Sequence, residues 1–260
     1  MLKALFRADF LHLASLFRST EGTRYYLNGV YVEPAAGGGV VLVATDGHRL
    51  CVFHDAEGFI DTPSIVVPPM GLAGVMAAKC RRSAAYLGFI GEAAGYRRYG
   101  RICTLLREDF PKNTDGTIGA EVARNHIADP LDTLVAWQGV VQLIDGDYPD
   151  WRRVVPQPSP SDSAAPGNEV PAAAAACIAN GNYLAPFVKV AKALQSGTQT
   201  VRIFPSGVGA PVRVDVGCPE FIGILMPMRD CGAGPWGDAE TGGGAPAWAF
   251  ERPAKPVAQP

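Results

Sequence analysis

The feature that most constrains this chain is a recurring order of one helical stripe followed by short strands. Apolar residues Phe10, Leu13, Ala14 and Phe17 are spaced as on one face of an amphipathic helix, and Asp9 is a candidate N-cap. Aromatic and β-branched residues without a helical period then predict strands. These strands are expected over residues 24–33, 40–44 and 49–54.

The same order recurs twice along the chain. Residues 64–67 predict a strand, and the prolines at 68–69 open a helix at a position where proline is tolerated. A third unit has a strand at 175–178 and a helix at 183–194. Its further strands are expected at 201–204, 212–216 and 221–226. Such repetition predicts an α+β fold of repeated units, in which helices pack on antiparallel β-sheets.

Three stretches interrupt this order. Residues 88–132 contain scattered glycines among charges and predict an irregular insertion. Residues 157–171 are rich in Pro, Ser and Asp, which is typical of a linker. Residues 231–260 are dominated by Gly, Pro and Ala, and we expect them to form a disordered tail.

Charge and cysteine usage exclude several classes of protein. The formal net charge of −2 argues against a protein that holds nucleic acid mainly by bulk positive charge. The six cysteines form no CxxC pair or zinc-type spacing, so we expect no metal or cofactor and interpret them as reduced thiols of a cytoplasmic protein. No apolar run approaches the roughly 20 residues of a membrane span, and the N-terminal residues do not predict a signal peptide.

Three segments carry a more specific signal. The first consists of residues 24–30 (RYYLNGV) followed by 43–50 (VATDGHRL). The second is 145–156 (DGDYPDWRRVVP), and the third is 224–229 (ILMPMR). Together and in this order they resemble the signatures of the β sliding clamp, the β subunit of bacterial DNA polymerase III. The resemblance implies a truncated, divergent member with the DNA clamp fold. Residues 1–156 would correspond to the family's middle domain and 172–230 to part of its C-terminal domain.

The resemblance implies that the three segments converge on one apolar cleft. In the family that cleft receives short linear motifs of polymerases, the clamp loader and repair proteins. Carried over, the partner-binding cleft comprises Leu27, Thr45, Gly47, His48, Arg49, Leu50, Pro149, Arg153, Val154, Ile224, Leu225, Met226, Pro227, Met228 and Arg229. Aliphatic side chains suit a partner's Leu and Phe anchors, and Met adapts to varied ligands.

The resemblance also implies double-stranded DNA as a partner. Residues expected near DNA are Arg24, Tyr25, Tyr26, Lys79, Arg81 and Arg82. Family clamps are rings of head-to-tail three-domain chains, so this chain would need a different homo-oligomer to close a ring. The function implied is a sliding-clamp-like processivity factor in DNA replication. The alternative is a clamp-derived adaptor or decoy that binds such motifs without encircling DNA.

For single residues, purely structural roles also stay open. Met226 and Met228 also suit the core of a strand, and His48 suits a turn. A DNA-processing enzyme would need a cluster of acidic metal ligands, whereas Asp145, Asp147 and Asp150 fall inside a clamp signature. We therefore predict a non-catalytic protein.

The tail suggests a further hypothesis. It contains Trp236 and the sequence Ala247-Trp248-Ala249-Phe250, and it follows the last signature directly. These large apolar side chains would let the tail fold back and compete for the cleft. The alternative is a disordered appendage.

Overall fold

The computed structural model describes residues 2–72, 85–92, 99–106, 135–156, 178–195, 199–205 and 209–228. Two α-helices lie in this part of the chain, α1 (Ala8–Ala14) and α2 (Gly181–Leu194). Short 3-10 helices span Ser15–Phe17, Tyr25–Leu27 and Trp151–Val154. The strands are β1 (Leu2–Arg7), β2 (Val30–Pro34), β3 (Val40–Thr45), β4 (Arg49–Asp55), β5 (Phe59–Ile60), β6 (Ser64–Val67), β7 (Ala85–Glu92), β8 (Tyr99–Leu106), β9 (Val135–Ile144), β10 (Arg202–Phe204), β11 (Val212–Asp215) and β12 (Phe221–Leu225).

All twelve strands form one antiparallel sheet. Their order is β10-β11-β12-β4-β3-β2-β6-β9-β8-β7-β1-β5. The predicted α+β class is therefore confirmed. The pairing of β12 with β4, with Ile224 opposite Leu50, joins strands from the two sides of the predicted linker. The predicted domain boundaries themselves stay a prediction.

Both faces of the central strands are buried. Every residue of β3 is buried, and successive side chains belong to two different apolar clusters. Val40, Leu42 and Ala44 pack on the face that carries the helices, whereas Val41 and Val43 pack on the opposite face. This alternation follows from the two-residue period of a strand. The second face is the one on which the candidate site lies.

Aromatic rings join the two helices to the sheet. Phe17, at the end of the 3-10 helix after α1, meets Phe187 of α2 with ring centroids 4.9 Å apart. Phe10 of α1 lies 5.0 Å from Phe53 of β4, and Phe53 lies 5.0 Å from Phe221 of β12. Each such ring removes a large apolar area from water and contributes about 1.5–3 kcal/mol relative to an exposed position. These contacts fix β4 and β12 side by side.

Several sequence predictions need correction. The first helix begins at Ala8, directly after β1, so Asp9 is not its N-cap; its carboxylate instead accepts hydrogen bonds from the Arg7 guanidinium. Residues 24–33 are not one strand, because a 3-10 helix at Tyr25–Leu27 precedes β2. The span 88–132 is not wholly irregular, since β7 and β8 cover parts of it.

The remaining strands and helix of the third unit match closely. α2 covers the predicted helix, and β10, β11 and β12 fall within the predicted strands. The predicted strand at 175–178 is described only at Ile178, which is not in a strand. The helix after 68–69, the linker at 157–171 and the tail at 231–260 lie wholly or mostly outside the described residues. None of the helices in the described ranges is long and apolar enough to cross a membrane.

Candidate functional site

A tight turn between β3 and β4 forms one rim of the site. The Asp46 carboxylate accepts hydrogen bonds from the backbone N–H groups of His48 (2.9 Å) and Arg49 (3.1 Å). The Thr45 hydroxyl accepts from the Gly47 N–H at 3.0 Å and donates to the Arg49 carbonyl at 2.7 Å. Short polar side chains that bond to nearby backbone stabilise turns of this kind. The turn therefore holds its shape without help from a ligand.

Arg49 ties this turn to both helical regions. Its Nε donates to Asp46 Oδ2 at 3.0 Å, and its two terminal nitrogens donate to the carbonyl oxygens of Leu16 (3.3 Å) and Asn182 (3.2 Å). Only 15% of its side chain is exposed. A largely buried guanidinium in which each of the three nitrogens donates to an oxygen is strongly held. Arg49 thus lies at the cleft, but its charge is already used within the protein.

His48 and Tyr183 form a stacked pair beside the turn. Their ring centroids lie 4.9 Å apart with planes 21° apart. The His48 side chain is about half exposed, and its Nδ1 lies 4.0 Å from Asp46 Oδ1. Tyr183 comes from α2, so its place beside the turn depends on the pairing of distant parts of the chain. The sequence carries no local signal for this contact.

The opposite rim is the segment that follows β9. Tyr148 stacks on Tyr31 of β2 with centroids 4.7 Å apart and planes 5° apart. The Trp151 indole N–H donates to Glu33 Oε1 at 2.9 Å, and the same oxygen accepts from Arg152 at 2.7 Å. The Arg152 guanidinium also lies 4.3 Å from the Trp151 ring centroid. These contacts hold the segment against the sheet.

Burial perturbs the two stacked tyrosines. Desolvation raises the pKa of Tyr148 well above its usual range, although the Thr45 backbone acts in the opposite direction. Desolvation also raises the pKa of Tyr31, and the nearby Glu33 carboxylate adds to this effect. Both phenols therefore stay neutral at any physiological pH. They act here as flat apolar surfaces with a polar edge.

Between the two rims lies a cleft of about 430 Å³. Its floor is the paired Leu50 and Ile224 of β4 and β12, and the Met226 N–H extends that pairing by donating to the His48 carbonyl at 2.8 Å. Nine of the predicted residues line it. They are Leu27, Thr45, Gly47, Arg49, Leu50, Pro149, Val154, Ile224 and Met226.

Five residues line the cleft that were not assigned to it from the sequence. Tyr148, Asp150 and Trp151 lie inside a quoted signature, so that signature already pointed to the right segment. Arg24 and Tyr26, expected near DNA, also line the cleft. Tyr25 does not line it; this side chain is half exposed and meets the Tyr26 ring edge to face, with centroids 5.8 Å apart.

The other predicted cleft residues lie elsewhere or at its margin. The prediction for Leu225 is wrong, because its side chain is buried in the cluster on the helix side of the sheet. Arg153 is 83% exposed and lies 3.7 Å from Asp150. Pro227 is partly buried, and Met228 is exposed while its N–H donates to the Ile178 carbonyl at 2.8 Å. Arg229, Lys79, Arg81 and Arg82 lie outside the described residues.

The cleft combines apolar and polar side chains. Apolar side chains form its floor, and polar groups form its rim. Among the residues that the structure describes, no group of three or more His, Cys, Asp or Glu side chains could hold a metal ion. Such a cleft suits a ligand with apolar anchors and a polar backbone.

No protein-family model matches this chain. Curated relatives are nevertheless found over about half of it. The β sliding clamp of Caulobacter vibrioides (strain NA1000 / CB15N) is 31% identical over 144 residues, which is 54% of this chain and 29% of that protein. The β sliding clamp of Pseudomonas aeruginosa is 28% identical over 145 residues, 55% of this chain and 30% of that protein. The match thus spans less than a third of the length of these relatives.

Solved structures extend the likeness to most of the fold. The beta subunit from DNA polymerase of Streptococcus pyogenes superimposes with a TM-score of 0.53 at 14% identity, covering 87% of this chain and 65% of that one. The DNA polymerase sliding clamp from Pseudomonas aeruginosa gives a TM-score of 0.50 at 16% identity, covering 88% and 67%. At these identities the likeness establishes the fold alone. Over about half of its length the chain is thus similar in sequence to bacterial β sliding clamps, and it shares their fold.

Proposed function

We propose that this chain is a non-catalytic, sliding-clamp-like factor of DNA replication whose cleft binds short linear motifs of a DNA polymerase and other replication or repair proteins. The observation that carries the proposal is that residues from all three signature segments line one cleft. Segments far apart in sequence supply Leu50, Val154 and Met226 to it.

The shape of the cleft supports a peptide as the ligand. Its volume of about 430 Å³ lies within the range of ligand sites. An extended peptide presents alternate side chains to one face. Its apolar anchors would contact Leu50, Ile224 and Met226, and its backbone would face the polar rim. Apolar burial would then supply most of the affinity.

Of the two cations among the described residues that line the cleft, Arg24 is the one more available to a partner. The Arg24 side chain is about half exposed. Its Nε lies 3.9 Å from Oε2 of Glu21, which is a long distance for an ion pair. Arg49, by contrast, donates to three oxygens within the protein. We therefore assign recognition of an acidic group on the partner to Arg24. The same position would suit a DNA phosphate if the assembly encircles DNA.

Binding of a labelled peptide of the Gln-x-x-Leu-Phe type tests the proposal. Fluorescence anisotropy should show micromolar affinity, and Met226→Asp should weaken it at least about tenfold, since a charge would lie on the cleft floor. Met70→Asp is the matched control, because Met70 is 98% exposed and does not line the cleft. Equal affinities of the two variants would contradict the proposal.

The adaptor alternative is favoured by one observation, the net charge of −2. A clamp loaded on circular DNA should co-elute with it and slide off after the DNA is linearised. An adaptor should bind the peptide yet never be retained on closed circles. Gel filtration of the full chain with nicked circular DNA, with and without a clamp loader, separates these two functions.

A further inference from the structure

We propose that the chain's own C-terminal residues Trp248 and Phe250 occupy the cleft and compete with partner motifs. This rests on the proposed function, because the tail would act as an internal substitute for a partner peptide. Three features of the molecule support it. They are the position at which the described chain ends, the spacing of the two aromatic anchors, and the length of the segment 229–247 that precedes them.

The described chain ends at the cleft. Met226 lines it, and the next hydrogen bond, from the Met228 N–H to the Ile178 carbonyl, holds the backbone at its margin. Residues 229–260 follow from this point. A segment that is covalently attached next to a site binds to it in an intramolecular step. Its effective concentration there is on the order of millimolar for a short linker.

The anchors have the spacing that an extended peptide needs. In Ala247-Trp248-Ala249-Phe250, two large aromatic side chains alternate with two methyl groups. Side chains two residues apart lie on the same face of an extended chain. The indole and the benzyl group would therefore enter the cleft together, over the Leu50–Ile224 floor. Trp is among the residues that most often dominate binding energy at such interfaces.

The intervening sequence can span the return path. Nineteen residues lie between Met228 and Trp248, and they include Gly-Ala-Gly-Pro and Gly-Gly-Gly-Ala-Pro. A chain of this length has a root-mean-square extension of roughly 25 Å if it behaves as a glycine-rich coil. Closing it costs little more free energy than closing a chain of half that length. The tether therefore permits binding in cis.

The expected size of the competition follows from these quantities. A tail motif with an intrinsic Kd of about 0.1 mM, at an effective concentration of about 1 mM, would weaken a partner peptide about tenfold. Partner proteins would then need either a tighter motif or a second contact to displace the tail. The cleft would be protected from weak, non-specific apolar ligands.

The first test needs no partner peptide. The full chain labelled with 5-fluorotryptophan should give a ¹⁹F signal for Trp248, identified by a Trp248→Phe variant. That signal should shift when Met226→Asp is introduced and should not shift with Met70→Asp. A Trp248 signal that is insensitive to both substitutions overturns the inference, whatever the peptide does.

The second test measures competition in the full chain. The double variant Trp248→Ala, Phe250→Ala should bind the Gln-x-x-Leu-Phe-type peptide about tenfold more tightly than the wild type, and the control Trp236→Ala should not. Unchanged affinity in the double variant overturns the inference and leaves the proposed function standing. A Trp248 signal that responds to Met226→Asp, with no peptide binding in any variant, supports the inference and overturns the proposed function.

Discussion

Gly47 is the residue on which the cleft rim most depends. Its φ of +89° lies in the left-handed region, which side chains other than glycine adopt at a cost. A Cβ built there would also lie 2.7 Å from Nη1 of Arg24. The position therefore combines a backbone requirement with the placement of the cation to which we assign partner recognition.

Gly47→Ala should lower the free energy of unfolding by about 1–2 kcal/mol and also weaken peptide binding, because the new methyl group displaces Arg24. Gly38→Ala is the matched control. Its φ is +96° and a methyl group there would meet nothing within 4 Å, so it should lose similar stability and keep its affinity. Urea denaturation and fluorescence anisotropy measure the two effects. Parallel losses of affinity in both variants would show that the Arg24 contact is unimportant.

His12 gives the fold a pH dependence. Burial lowers its pKa below the usual 6.5, and Lys189 of α2 lowers it further, while Asp9 opposes both. The unfolded chain therefore takes up a proton before the folded one does. The stability that comes from this difference in the pKa of His12 is fully present above pH 6.5, and it is lost as the pH falls through the folded pKa.

From about pH 7.5 to about pH 5.5, the wild type should therefore lose more unfolding free energy than the His12→Gln variant. For one proton the slope cannot exceed about 1.4 kcal/mol per pH unit. Urea titrations at several pH values measure it. A difference that is constant over this range would show that His12 titrates alike in both states.

At the scale of elements, α2 reaches the sheet through a glycine. A Cβ on Gly223 of β12 would lie 2.6 Å from Cε1 of Phe187 and 2.8 Å from the Val214 carbonyl oxygen. The Phe187 ring therefore rests directly on the strand backbone. This close approach places Asn182 and Tyr183, at the start of α2, beside Arg49 and His48.

Gly223→Ala should destabilise the protein by about 1–3 kcal/mol, since the added methyl group overpacks the contact. Combining it with Phe187→Leu should restore only part of the loss, because the carbonyl contact remains. Gly181→Ala, at the exposed start of the same helix with nothing within 4 Å, is the control. Thermal unfolding followed by circular dichroism distinguishes these variants, and a neutral Gly223→Ala would contradict the packing described here.

Some elements of this fold follow from local sequence patterns, whereas others depend on contacts between distant residues. β3, β4 and β6 were predictable because alternating and β-branched residues between turns specify them locally. The Tyr25–Leu27 turn was not, since its aromatic residues have the composition of a strand, and a 3-10 turn there positions Leu27 under the cleft. Leu225 was misassigned because a signature carries no information on which face of the sheet each of its residues occupies.

Contacts across the chain lay beyond what one sequence reveals. The Tyr31–Tyr148 stack and the Trp151–Glu33 hydrogen bond join residues more than a hundred positions apart. The signature identified the segment, but which side chains face the cleft depends on how that segment crosses β2. The contact of Tyr183 with His48 was not predicted, because the two residues come from different parts of the chain.

On the scale of the whole molecule, the sheet connects the parts that the sequence suggests are separate domains. β12 pairs with β4 along five residues, from Phe221 opposite Phe53 to Leu225 opposite Arg49. The large helix-side cluster contains buried residues from α1, β4, α2 and β11 together. Such a shared core predicts that residues 2–72 and 178–228 unfold as one cooperative unit, because neither can expose its half of the core alone.

A cut in the predicted linker tests this cooperativity. With a specific protease site inserted within residues 157–171, cleavage should yield two fragments that still elute together on gel filtration, held by the β4–β12 ladder and the common core. The midpoint of denaturation should then depend on the protein concentration, because the two fragments now associate in a bimolecular step. An uncut chain carrying the same insertion controls for the inserted sequence. Fragments that separate under native conditions would show that the two sides of the linker are independent domains, and the cleft, which needs Leu50 from one side and Met226 from the other, would then form only transiently.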